Sequence, residues 1–176
     1  MKSMTESLKE FCEKREIPLR KHGDTSFKIG FVGDTGTFDT YINIYEEEGQ
    51  IVVRTLLPVK APLEKLTQAC EILMLANGII HYGNFELCFR TGFIAFKTTA
   101  ILGRAELHED INENLVFYNW MYTERFFPAI NAVLFADITP KDAIETLKPQ
   151  ERPQAQANDV DTSKLIGDRL GKNLNN

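Results

Sequence analysis

Residues 38–57 alternate polar and apolar side chains on either side of Glu46-Glu47-Glu48-Gly49, a pattern that leaves a β-hairpin as the natural structure. A two-residue Glu48-Gly49 loop sets Ile44 across from Val53, Ile42 from Thr55 and Glu46 from Ile51. On the other face it pairs Tyr45 with Val52, Tyr41 with Leu56 and Asn43 with Arg54. A slip of one residue would put Ile42 opposite Arg54 and mix the two faces. One face is therefore aliphatic and suited to a core. The other, with Tyr41, Tyr45, Val52 and Leu56, is too apolar for plain solvent, which points to binding rather than to chemistry.

The flanking segments fit the same frame. Ser26 to Gly33 places Phe27, Ile29 and Phe31 on one side, and an even turn at Asp34-Thr35-Gly36-Thr37 pairs Phe27 with Ile44 and Ile29 with Ile42. Asn84 to Arg90 and Phe93 to Ala100 form a further hairpin around Thr91-Gly92, with Phe89 facing Ile94, Leu87 facing Phe96 and Glu86 paired with Lys97. Helical periodicity covers 4–15 with Thr5 as N-cap, Pro62 to Asn77 with Gly78 as a left-handed stop, and 112–135 with Pro128 bending or interrupting it. Thr139-Pro140-Lys141-Asp142 starts the last helix. The sum is an α+β domain with one antiparallel five-stranded sheet, helices on one face, and the order α-βββ-α-ββ-α-α. The domain spans 1–148. Residues 149–176, rich in Gln, Asn, Asp and Pro, read as a polar extension, with a weak helix at Ile166, Leu170 and Leu174.

Several function classes lose ground on composition. A net charge of -5 disfavours nucleic acid and anionic membrane as partners. No apolar run approaches the ~20 residues of a membrane span, and the N-terminal residues carry no apolar export signal, so a cytoplasmic location is expected. Cys12, Cys70 and Cys88, odd in number and widely spaced, read as reduced core thiols. His22 and His81 stand alone and His108-Glu109-Asp110 reads as a solvated loop, so neither a metal site nor a cofactor is expected. Gly30, Gly33 and Gly36 mark twist and a turn, since no helix follows to present amides to a phosphate.

One enzyme reading competes. Asp34-Thr35-Gly36 is the tripeptide that carries the aspartate of aspartic proteases, and Ile101-Leu102-Gly103-Arg104 resembles the second signature of the retroviral type. Gly33 replaces the expected apolar residue, and the helix at 62–77 breaks an otherwise all-β pattern. A turn with Asp first and Gly third also forms for backbone reasons alone. No catalytic residue is assigned.

The helix at 112–135 is apolar nearly all round through Phe117, Tyr118, Trp120, Met121 and Tyr122, and must be covered on every side. Either it and the outer hairpin face cover each other, or one of them meets a partner. With this order of elements, Arg125-Phe126-Phe127-Pro128-Ala129-Ile130 followed by Thr139-Pro140-Lys141-Asp142-Ala143 resembles the YbjN-like family, which shares the fold of type III secretion chaperones. The resemblance covers 4–147. It implies a small acidic cytoplasmic bacterial protein, often a homodimer, that holds other polypeptides or regulates and has no established active site. The expected function is thus a non-enzymatic chaperone-like or adaptor module binding a protein segment through Tyr41, Tyr45, Val52, Leu56, Tyr118, Trp120 and Met121. A regulator holding a small apolar ligand is a further alternative.

Overall fold

The computed structural model describes residues 2–103 and 105–147; the extension 149–176, with its expected helix, lies outside them. Its elements run α1 (Met4–Lys14), β1 (Arg20–Lys21), β2 (Ser26–Val32), β3 (Thr37–Tyr45), β4 (Gln50–Lys60), a 3-10 turn (Leu63–Lys65) and α2 (Leu66–Asn77). After these come β5 (Asn84–Leu87), β6 (Phe93–Ile101), α3 (Glu109–Phe135) and α4 (Pro140–Glu145). The sheet is antiparallel with order β1-β2-β3-β4-β6-β5. It has six strands rather than five, because the basic connector at Arg20 and Lys21 pairs with Lys28 and Phe27.

Every predicted strand face but that of Phe89 is kept, and every predicted hairpin register is displaced by two residues. Ile42 faces Val53 and Ile44 faces Ile51; Phe27 faces Ile42; Phe85 faces Phe96 and Leu87 faces Ile94. An even displacement preserves the alternation, so the sequence pattern could not reveal it. The cause is loop length, held by distant carboxylates in the first two hairpins and by local bonds in the third. The Glu46 carboxylate leaves the hairpin to accept from the amides of Met4 (3.0 Å) and Thr5 (2.8 Å) at the start of α1. The Glu124 carboxylate, on α3, accepts from the amides of Asp34 and Thr35 in the first turn. In the third hairpin Cys88 closes the loop with Phe93 (2.9 Å) and Gly92 (2.7 Å), which leaves Phe89 exposed instead of facing Ile94.

Helix ends depart from expectation in three places. Ser3, not Thr5, caps α1 in a reciprocal box with Glu6. Gly78 ends α2 in right-handed geometry, so its freedom is not used there. α3 begins at Glu109 and passes through Pro128 without interruption. Thr139 caps α4 as expected.

The helices lie on one side of the sheet and close a single core. Leu8, Phe11 and Cys12 of α1, Ile72 and Leu73 of α2, and Leu115, Phe126 and Ile130 of α3 join Phe27, Ile29, Phe38, Ile42, Val53, Ile94 and Phe96. Aromatic contacts fix the seam: Phe31 stacks on Phe38 at 4.8 Å and lies tilted 4.7 Å from Trp120, and Phe85 meets Phe96 edge-on at 4.8 Å. Cys12 is a core thiol, which burial pushes up to about 12. Cys88 is not: it is exposed, and the hydroxyl and amide of Thr91 hold its thiol below the ordinary value.

Candidate functional site

The two faces of the sheet have different covers, and that difference locates the site. Period-two alternation sends Thr40, Ile42 and Ile44, with Ile51, Val53 and Thr55, toward the helices. A polar seam joins these strands to α3. The Asn119 amide donates to the carbonyls of Val53 (3.0 Å) and Phe96 (3.2 Å) and to Thr98 Oγ1 (3.1 Å). Thr98 Oγ1 donates to the Leu115 carbonyl (2.8 Å), Thr40 and Thr55 share a hydroxyl hydrogen bond (2.6 Å), and Trp120 Nε1 donates to Thr40 Oγ1 (3.0 Å). Because nothing buried can turn to water for a substitute, this network orients α3 on the sheet. Its only sequence signals were threonines at inward strand positions and Asn119 inside an apolar helix.

The outer face carries no helix among the described residues. Tyr41, Asn43 and Tyr45 of β3 lie there beside Arg54, Val52 and Gln50 of β4. Beyond them are Lys97, Thr99 and Ile101 of β6. Tyr45 is 39% exposed and Ile101 74%, Leu56 and Tyr41 are half-buried, and Val52 is a nearly covered floor outside the core cluster. Val32, Phe93 and Ile101 extend the apolar surface beyond the residues expected to form it. Val32 and Ile101 end their strands, where alternation says least about burial.

The seven expected partner-binding residues do not form one surface. Tyr41, Tyr45, Val52 and Leu56 share the outer face. Trp120 is 8% exposed, its ring packed on Phe31, so the core has taken it. Tyr118 and Met121 are half-buried in the helical layer, where the Tyr118 ring lies tilted against Tyr82 at 5.1 Å. The sheet separates the two apolar surfaces. They do not cover each other.

Ion pairs tie neighbouring strands together on the outer face. Glu86 bonds Arg54 Nε (3.0 Å) and also Lys97, the pair expected from the sequence although the two residues sit diagonally. Partial burial works against the Glu86 charge, but the hydrogen bonds from Lys97 and Arg54 and their charges outweigh it and lower its pKa. Lys28 pairs with Asp39 at 2.8 Å and sits 5.6 Å over the Tyr41 ring, and its partners raise its pKa.

Asp34 lies in an exposed turn whose amides are occupied by Glu124, and a Cβ at Gly33 would run into that same carboxylate. This gives the Asp-Thr-Gly turn and Gly33 a structural reason. Leu102 donates to Gly49 at the β3–β4 end (2.7 Å), whereas Asp34 is at the β2–β3 end. The two protease-like segments are thus separated by the length of β3, roughly 30 Å for nine residues. His108 is the N-cap of α3, and Glu109 bonds Lys14 (2.6 Å) and Arg15 (3.4 Å). Among the described residues no three His, Cys, Asp or Glu side chains gather to hold a metal. Nor is any described helix long and apolar enough to cross a membrane.

No family profile matches the sequence, and no curated protein matches it. Solved structures do. The crystal structure of YbjN from E. coli, described as a proposed transcription regulator, superposes with a TM-score of 0.55 at 6% identity. The match covers 68% of this chain and 85% of that one. The fold is YbjN-like. At this identity the likeness shows the fold alone, and the α+β class with helices on one side of an antiparallel sheet agrees with it.

Proposed function

We propose that the protein is a non-enzymatic binding module, an adaptor or chaperone-like holder, that takes a polypeptide segment on the outer face of its sheet. The observation that carries this reading is the face bearing Tyr41, Tyr45 and Leu56, with Val52 as floor, which no helix among the described residues covers, opposite a core closed by helices. Rigid tyrosines offer large contact area at small entropic cost, and strands tied by a hydrogen-bonded ladder and ion pairs need little reorganisation to receive a chain. Tyr118 and Met121 belong to a different surface and Trp120 to the core, so the aromatic anchors are the tyrosines of β3.

A photo-crosslinking amino acid at Tyr45 of the full chain, expressed in its native cell, tests this. Specific polypeptide adducts should form from Tyr45, disappear when Leu56→Asp is added, and not form from the same probe at Lys9 on α1. Equal adducts from both positions would remove the reading.

A further inference from the structure

The outer face is basic, although the chain is acidic. Cross-strand pairing puts Arg20 and Lys28, Arg54 and Lys97, and Lys60 with Phe93 on this side. The carboxylates on the same strands are Asp39 and Glu86. Five cations against two anions leave a net +3 on the strand residues of this face, in a chain of net charge -5. Both carboxylates are engaged, Asp39 with Lys28 and Glu86 with Arg54 and Lys97.

A pocket opens at the end of this face where β4 departs from β6. Leu56 pairs with Ala95 and Lys60 with Phe93, so Leu57, Pro58 and Val59 span a stretch in which β6 supplies Ile94 alone. Pro58 has no N–H for the ladder, and the extra residues bulge. Beyond the bulge the strand is pinned again, with the Ala61 amide on the Gly92 carbonyl at 2.8 Å. Gly92 has φ +70 there, and a Cβ on it would strike the Ala61 carbonyl. The cavity so formed measures about 280 Å³ and is walled by Leu56, Pro58, Val59, Phe93, Asp39 and Lys60. The Lys60 ammonium lies 4.2 Å from the centroid of the Phe93 ring and has no acidic partner among the described residues.

We infer that the segment bound by this face is acidic, with an aliphatic side chain entering the β4-bulge pocket and a neighbouring carboxylate meeting Lys60. This rests on the proposed binding role and adds the chemistry of the partner. A hole walled mainly by Leu56, Pro58, Val59 and Phe93, beside a cation with no acidic partner among the described residues, is complementary to that pair of groups, and the surplus positive charge would steer it. A nucleic acid would also answer to positive charge and tyrosines. The net negative charge of the whole chain opposes a long polyanion, and a wall of Leu56, Pro58, Val59 and Phe93 beside the single Lys60 cation suits an aliphatic side chain next to one carboxylate better than a run of phosphates.

The test is fluorescence anisotropy on the full chain with three labelled peptide pools and a single-stranded homothymidine oligonucleotide. In the first pool leucine or isoleucine is mixed with aspartate and glutamate; in the second lysine replaces the acids; in the third serine does. The acidic pool should bind best, weaken with salt, and lose about tenfold or more in affinity with Lys60→Glu or Leu56→Asp, while the melting curve of each variant stays in place. Binding that prefers the serine or lysine pool yet is lost in Leu56→Asp would overturn the acidic partner and keep the face as a peptide site. Preference for the oligonucleotide, or peptide binding indifferent to both substitutions, would overturn both.

Discussion

The two faces of the sheet come from the same strands, a residue apart, and do opposite things. Inward, Phe38, Ile42, Val53 and Phe96 are closed under α3, and even the polar atoms of Thr40, Thr55 and Thr98 are spent on internal hydrogen bonds. Outward, Tyr41, Tyr45 and Leu56 keep exposed area, and charges are paired on the surface or left over. Apolar content alone does not separate the two. Cover does: the inner face has one supplied by the chain, and the outer face has none among the described residues.

The contrast makes the largest predicted difference a matter of stability. Phe96→Ala should cost about 3–5 kcal/mol by chemical denaturation, whereas Tyr45→Ala, on a ring already wet, should stay within about 0.5 kcal/mol. If Tyr45→Ala proves as costly as Phe96→Ala, the outer face is a core and the binding reading has no surface. Next in size is Asn119→Ala, which strands two buried carbonyls and should cost about 2–3 kcal/mol.

The rim between the faces gives a smaller effect with a distinctive signature. Gly33→Ala pushes a methyl group into the Glu124 carboxylate and should cost about 1–2 kcal/mol through loss of its bonds to Asp34 and Thr35. In a Glu124→Ala background the same substitution should cost almost nothing, and a double-mutant cycle reads the coupling directly. Asn112, 1% exposed, has neither amide atom partnered among the described residues, so Asn112→Leu should raise stability by about 1 kcal/mol.

The smallest effect is one of pH. The folded-state pKa of Glu86 is depressed, so its contribution is present above the ordinary value of 4.5 and is lost as pH falls through the folded value. Glu86→Gln should therefore flatten the fall in melting temperature below about pH 4.5 and leave its slope near neutrality unchanged. An unchanged acid limb would show that the outer ion pairs do not hold that face.

Much of this was legible in the chain. The inward set at Phe27, Ile29, Ile42, Ile44, Val53 and Phe96 follows from alternation, and the cap at Thr139 from its spacing to Asp142. The short strand at Arg20 was not, because two exposed basic residues carry no pattern; its pairing follows from where α1 delivers the chain. Trp120 was misjudged for a related reason. A helix apolar all round says that it must be covered, not by what, and its ring found Phe31 and Thr40.

By itself the sequence determined which side of each strand faces inward, because a side-chain period of two survives any even change of register. Tertiary structure alone decided the registers, through carboxylates reaching from Glu46 to α1 and from Glu124 to the first turn. It also decided which apolar face has no helical cover among the described residues. The two carboxylate clamps join groups 41 to 90 residues apart, and local spacing carries no information about them.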